Sequence, residues 1–355
     1  MKGYFISRNY KSLFNAAGKA KTDCESILAE MGFKNLGFKQ SSIPNSAIGT
    51  IKNFLGITYA LLRLPFNSTL CTQYPLNKFR SYVLGIAKLK RCNIITIVHD
   101  VRYLKGRTGN SDKELQKIIS SNAIIVHNDA MKNWFLEQGV KIPIVVLGIF
   151  DYILNDGLPD QNNAVTGEKP HEIVYAGGFG EGKNSYIYDL DVLDKKDFTM
   201  NLYGIGFNDD KLKTNKEESI LSYKGAFPSD IVAYHIKGSF GLVWDGISTK
   251  ECSGQYGQYL RYNNPHKTSL YILCGLPVIV WDKAAISTFI KDNNIGFTIS
   301  NLDDLSDKLK NLSTEEYQKM KKNVNQVRTK IISGGYLNDA INHALKDSIT
   351  HKNDK

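Results

Sequence analysis

The 355-residue chain is too long for one ordinary hydrophobic core, and its 42% hydrophobic content excludes a disordered protein. No stretch offers about 18 uninterrupted apolar residues, so no spanning helix is predicted. The start, MKGYFISRNYKSLF, has neither the apolar run nor the cleavage site of a signal peptide, and the five scattered cysteines form no CxxC pair; both point to a cytoplasmic protein with reduced thiols and no structural zinc. The net charge of +10 is uneven: residues 1–150 hold 21 Lys and Arg against 8 Asp and Glu, whereas the rest holds 24 against 27. Such a basic half favours polyanions, whether nucleic acid, anionic lipid or a diphosphate.

The first half alternates apolar runs with helical patterns. KGYFIS, NLGFKQ, STLCTQY, NIITIVHD, AIIVHN and PIVVLGIF read as strands. NAAGKAKTD, after the first of them, imitates a phosphate loop but lacks the earlier glycine and carries Ala20 where Ser or Thr would bind magnesium. An ATPase is therefore excluded, and Asn15, Gly18 and Lys19 are kept as acceptor-side candidates at a helix start. FLGITYALLRLPF, with Lys52 and Arg63 beside it, reads as a buried helix or as a surface that meets a membrane. In IITIVHDVRYL, His99 and Asp100 end a strand near Arg102, where an imidazole or a carboxylate suits general-base work and a capping role is equally open.

Residues 153–171, centred on NDGLPDQNNAVTGEKPH, read as a linker. The expected domains are thus 1–152 and 172–330, with a C-terminal helix at about 335–348 returning to the first. The second half repeats the alternation with EIVYAGG, FTMNLYG, ILSYKG, FGLVWDG, PVIVW and GFTIS. Strands alternating with helices imply parallel sheets covered on both faces, with ligands beyond the carboxyl ends of the strands. The loops there become the candidates. Gly177, Gly178 and Lys183 of AGGFGEGKN allow close backbone approach to a phosphate, although a plain solvent loop would read alike. Tyr203 and Gly204 end the next strand. Tyr223 and Phe227 in YKGAFPSD offer a flat wall for a base or a staple before a helix, and Asp245 ends VWDG.

Asp189 and Asp191 imitate the D-x-D pair of metal-dependent sugar transferases. They lie inside SYIYDLDVLDKKDF, whose pattern predicts a solvated helix face, so no metal is expected. In RYNNPHKTSLYILCGLPVIVW, residues 268–274 suit a helix ended by Gly275, with Asn263 and Asn264 as caps and Pro265 in the first turn. Arg261, Asn263, Asn264, His266 and Lys267 then crowd a helix N-terminus, which attracts anions. Lys267 opposes the helix dipole there unless an anion shares the site.

VYAGG, LYGIGF, YKGAFP, GLVWDG, YLRYNNPHKTSLYILCGLPVIVW and NNIGFTIS together resemble the bacterial galactofuranosyltransferase family, with FNAAGKAKTD, IVHDVR, IIVHN and IFDY extending the likeness through the first half. AGGF departs from the small-Asn pattern of that family. A related branch holds glucosyltransferases that extend N-acetylglucosamine on serine-rich adhesins. The resemblance implies an α/β, GT-B protein: two doubly wound Rossmann-like domains facing across a cleft. It further implies a UDP-sugar donor on the second domain, a glycan or lipid-linked glycan acceptor on the first, and inverting transfer without metal in surface polysaccharide (O-antigen or capsule) synthesis. Lys267 with the amides after Asn264 would hold the diphosphate, Tyr223 and Phe227 would flank the uracil, and Arg261 and Asn263 would order the loop or reach phosphate. Peripheral contact with the inner membrane face through the basic domain and a homo-oligomer are left open. Nucleic acid is not an expected partner, for want of aromatic-basic interleaving or a recognition helix. A catalytically silent nucleotide-binding module is the remaining alternative.

Overall fold

In the first half, NIITIV and its neighbours are buried on both sides, the mark of strands inside a covered parallel sheet rather than at a wetted face. The computed structural model describes residues 2–7, 16–37, 47–75, 79–106, 111–154, 157–158, 172–193, 197–215 and 217–353. It divides into two compact units, Met1–Asp151 with Gly334–Lys355, and Tyr152–Ser333.

The first unit runs β1 (Gly3–Phe5), α1 (Ala16–Glu30), β2 (Lys34–Asn35), α2 (Ala47–Arg63), β3 (Thr69–Tyr74), α3 (Arg80–Leu89), β4 (Asn93–Val98), α4 (Ser111–Ile119), β5 (Ala123–Val126), α5 (Asp129–Glu137) and β6 (Ile144–Val146). Its sheet has the order β2-β1-β3-β4-β5-β6, and all pairs are parallel. The strand order reverses between β1 and β3. Leu70 and Ile94 from the sheet meet Ile57, Ala60, Leu61 and Leu64 of α2 and Val83, Leu84 and Ala87 of α3 in one core.

The second unit holds β7 (Glu172–Ala176), a 3-10 helix at Ser185–Val192, β8 (Thr199–Tyr203), β9 (Leu221–Gly225), β10 (Phe240–Val243), α6 (Gly254–Tyr259), α7 (His266–Leu273), β11 (Val278–Trp281), α8 (Ser287–Asp292), β12 (Gly296–Ile299), α9 (Leu305–Lys310) and α10 (Thr314–Ile332). Its parallel sheet has the order β12-β11-β10-β7-β8-β9, reversing between β7 and β10. A reversal leaves a crevice at the carboxyl ends of its two strands, where doubly wound proteins bind ligands. Helix α10 starts on a full capping box, Ser313 with Glu316.

Helix α11 (Gly335–Asn353) belongs to the first unit, where it packs on β4, β5, β6 and α1 through Leu337, Ala340, Ile341 and Ala344. The Asp151 carboxylate accepts from the amides of Tyr336 (3.2 Å) and Leu337 (2.7 Å) at its start. Three local expectations change. The strand expected in NLGFKQ is confined to Lys34–Asn35 among the described residues. The segment holding Asp189 and Asp191 is a 3-10 helix with Asp191 buried, not an amphipathic α-helix with a solvated acidic face. Helix α7 starts at His266, so Pro265 itself takes the cap position and neither Asn263 nor Asn264 caps it. Gly275, at φ +72, ends that helix as its sequence predicts.

Candidate active site

At the reversal between β7 and β10, three polar side chains converge. Tyr175 points from β7, Asp245 follows β10, and Lys267 reaches over from the first turn of α7. The Lys267 Nζ lies 2.8 Å from Asp245 Oδ1, 3.4 Å from the Tyr175 hydroxyl and 3.5 Å from the Trp244 carbonyl, and 4.4 Å from the centre of the Tyr175 ring. The cation that opposed the helix dipole is thus balanced by an internal carboxylate. Tyr175 donates towards Asp245 (3.3 Å) and accepts from Asn184 Nδ2 (2.9 Å). Burial, with the Asp245 charge beside it, pushes the Tyr175 phenol up, so it stays protonated.

The glycine loops serve this cluster by packing on one another. Asn184 donates to the Gly178 carbonyl and accepts from the Gly180 amide, which folds the Gly177–Lys183 turn. The Lys183 carbonyl accepts from Gly246, tying that turn to the loop after β10. Gly204 sits at φ +140, and a Cβ there would lie 1.9 Å from the Gly177 carbonyl oxygen. Glycine at 204 is therefore required by loop packing, a reason the sequence reading did not see.

Arg261 stacks its guanidinium 4.8 Å from the Trp281 ring centre and donates to Gln258, so it orders its own loop. His266 stacks on Tyr152 at 4.8 Å, Asn264 is buried, and the Asn263 amide closes on the Tyr259 carbonyl. Tyr223 and Phe227 each have a ring neighbour of their own. Tyr223 stacks on Phe207 (5.2 Å) and donates to the Gly204 carbonyl, whereas Phe227 stacks on His235 at 3.8 Å. Phe227 and His235 line a cavity of about 330 Å³ with Glu172, Asn201, Tyr203, Lys224 and Lys237. Tyr203 itself is buried, its hydroxyl accepting from the Lys237 amide.

Asp189 and Asp191 are engaged elsewhere. Asp191 accepts from the amides of Lys213 and Thr214 and from the Ser219 hydroxyl, and Asp189 pairs with Lys213 at 2.7 Å. Burial opposes ionisation of Asp191, but those donors prevail and hold its carboxyl below the usual range. Among the described residues, no three His, Cys, Asp or Glu side chains gather as a ligand set for a metal.

In the first unit, a polar chain lies at the carboxyl ends of β1, β3 and β4. Ser7 donates to Glu25, Gln73 Nε2 donates to the Lys21 carbonyl (3.2 Å) and towards Glu25 (3.5 Å), and Gln73 Oε1 is 2.7 Å from His99 Nε2. With its NH2 group so engaged, Gln73 presents oxygen to His99, which therefore donates through Nε2. His99 also stacks on Phe150 at 5.3 Å. Asp100 is the more exposed of the pair and meets Lys105 at 2.5 Å. Gly18 and Lys19 fall in the first turn of α1, at a helix start as expected, and Lys19 is buried against Asp23 at 2.5 Å. Arg102 lends its backbone amide to the buried Glu114 (2.8 Å). Asn15 lies outside the described residues. The sequence reading missed Tyr175, Asn184, Tyr271 and Gln73. Each is a polar side chain inside or beside an apolar run, the one signal available for them.

Two doubly wound parallel sheets fit the GT-B fold, and the family that the sequence matches makes the chain a glycosyltransferase. The N- and C-terminal domain profiles described as glucosyltransferase 3-like match residues 3–149 and 173–344, and the chain belongs to that family. It is 28% identical over 347 residues to the β-1,6-galactofuranosyltransferase WbbI of Escherichia coli (strain K12), covering 97% of this chain and 98% of that protein. Glucosyltransferase 3 of Streptococcus gordonii is 21% identical, over 88% of this chain and 90% of its own length. The fold matches Anabaena Alr3699/HepE in complex with UDP at a TM-score of 0.58 and 12% identity, covering 98% of this chain and all of that one. Sucrose-phosphate synthase from Thermosynechococcus elongatus gives 0.57 at 9% identity, with 98% of this chain and all of that one covered.

Proposed function

We propose that this glycosyltransferase moves a galactofuranosyl residue from UDP-galactofuranose to a glycan or lipid-linked glycan acceptor of a surface polysaccharide. The observation that carries this reading is the end-to-end likeness to the E. coli galactofuranosyltransferase, with the polar cluster of the second unit at its strand-order reversal. The diphosphate would meet Lys267, which keeps Asp245 and gives up its two longest contacts, to Tyr175 and Trp244. An ammonium and first-turn amides aimed at the departing oxygens offset leaving-group charge without a metal. The exposed face of Tyr223 is the flat wall available to uracil. On the acceptor side, Asp100 is the base and His99, held by Gln73 and Phe150, positions the sugar. The second reading is a glucosyltransferase, supported by the family profile and the streptococcal relative.

A donor screen separates the two: UDP-galactofuranose beside UDP-glucose with candidate acceptors, read as released UDP. Faster turnover of UDP-glucose overturns the first reading. Activity is expected to persist in excess EDTA, because Asp189 and Asp191 already hold protein donors; loss in EDTA with recovery on Mn²⁺ would show that a metal is required. Asp100→Asn is expected to lower turnover by about 10²–10⁴-fold with UDP affinity intact. If it turns over normally while His99→Ala does not, the base is His99.

A further inference from the structure

Helix α2 carries apolar side chains on two opposite faces. Ile57, Ala60, Leu61 and Leu64 are buried in the core of the first unit. On the other side, Ile51 (61% exposed), Phe54, Leu55 (59%), Tyr59 and Leu62 (74%) recur at helical spacing, and Phe66 (65%) continues the stripe past the helix end. Leu89 at the end of α3, 75% exposed, joins it. Lys90, the next residue, brings that end of α3 to α2 by donating to the carbonyls of Leu61, Leu62 and Leu64. Scattered exposed leucines need no explanation, but a continuous stripe marks a surface that meets something apolar.

Cations border the stripe. Lys52, Arg63, Lys88 and Arg91 are exposed around it, with Arg63 5.3 Å from the Tyr59 ring centre and Lys90 5.5 Å from that of Phe66. The charge is one-sided over a long stretch: residues 31–99 contain nine Lys and Arg and no Asp or Glu. Aliphatic and aromatic residues flanked by aromatic–cation pairs fit the boundary between acyl chains and headgroups, where long basic side chains reach the phosphates. Among the described residues no helix is long and apolar enough to cross a membrane, so α2 would lie in the surface plane. A second copy of the chain would oppose like charges across a two-fold contact. An anionic surface complements them.

We infer that the α2 stripe, with Leu89 and its basic border, docks the first unit on an anionic lipid bilayer. The inference is independent of which sugar is transferred. Binding combines two contributions, insertion of the apolar side chains and attraction of the cations, and the two respond to different changes.

The test is co-sedimentation of the full chain with vesicles of phosphatidylethanolamine and phosphatidylglycerol, beside vesicles of phosphatidylcholine alone. At low salt the chain should pellet with the first and scarcely with the second, and rising salt should release part of it. Leu55→Ser with Leu62→Ser leaves the charge unaltered and should weaken partitioning by about tenfold or more, with the melting temperature retained. Lys52→Gln with Arg63→Gln should weaken it less and flatten the salt dependence. Leu62→Trp supplies a reading that does not depend on losing function: relative to the parent chain, its emission should shift to the blue on the anionic vesicles. The inference is overturned if the parent chain stays in solution with anionic vesicles at low salt, if the double serine variant binds like the parent, or if the emission of the Leu62→Trp variant does not move. It is also overturned if light scattering finds a parent dimer that the serine variant converts to monomer, which assigns the stripe to a second copy.

Discussion

Lys267 and Asp245 are nearly buried, with side-chain exposures of 10% and 12%, so water solvates neither well and each faces the other as its ion-pair partner. Removing the lysine alone leaves a carboxylate without its cation in a low-dielectric site. Lys267→Met is expected to cost about 3–5 kcal/mol of stability, and Asp245→Asn in the same chain to restore most of it, read as urea midpoints. Donor binding should behave differently. UDP affinity by calorimetry should stay down about ten- to hundredfold in the double variant, the loss of one charged hydrogen bond at about 1.5–3 kcal/mol. Recovery of affinity in the double variant would show that Lys267 supports the site without touching the donor. His127 makes a second residue-scale prediction. Burial, outweighing the nearby Asp100 charge, lowers its pKa from 6.5 to about 4. The unfolded chain therefore binds a proton there between pH 4 and 6.5 that the folded chain refuses. The resulting stability is complete above pH 6.5 and is lost as pH falls towards 4, by up to about 3 kcal/mol. The difference in melting temperature between pH 7 and pH 5 should shrink in His127→Gln; an unchanged difference would show that another group causes it. Lys267, Asp100 and His99 stood out in the sequence as candidates because titratable side chains at strand and helix ends are conspicuous. Their partners Tyr175, Asn184 and Gln73 did not, because a polar atom inside an apolar run looks like packing until its bond is seen.

At the scale of elements, α7 is seated by one side chain. The Tyr271 hydroxyl accepts from the Ala176 amide at 2.8 Å and donates to the Leu242 carbonyl at 3.2 Å, linking the helix that carries Lys267 to β7 and β10. Its ring covers Gly241, where a Cβ would fall 2.1 Å from the ring carbon Cγ. Tyr271→Phe is expected to destabilise by about 1–3 kcal/mol, since two buried backbone groups lose that partner. Gly241→Ala should cost about as much, by pushing the ring off the strand. If either variant leaves the urea midpoint in place, α7 is held by other contacts. Among the described residues, the strands other than the exposed Lys34–Asn35 were legible because buried parallel strands are apolar runs, and this signal needs only local sequence. The 3-10 segment at Ser185–Val192 was not. Its Asp191 is satisfied by residues 213, 214 and 219, and no periodicity in the segment itself can report donors more than twenty positions away.

At the scale of the molecule, the chain leaves the first unit after Asp151 and re-enters it at Gly334. Helix α11 is thus a structural part of a unit whose other elements end near residue 151, and it covers β4, β5 and β6. Ending the chain at Ser333 should uncover that face and remove the capping role of Asp151. Calorimetry is expected to show the first unit's transition lost or strongly lowered and that of the second unit retained; two unchanged transitions would mean α11 is dispensable. A C-terminal helix at about 335–348 was expected from the sequence, whereas its seat on β4–β6 depends on topology that no short window contains. The discontinuity also has a consequence for synthesis. The ribosome finishes the second unit as one uninterrupted stretch, but the first waits, all strands made, for its last helix. At about 5–20 residues per second the intervening Tyr152–Ser333 takes roughly ten to forty seconds to emerge. During that interval the nascent first unit exposes the apolar surface that α11 will cover, which makes it a natural client for a chaperone, while its inserted guest can already be folded.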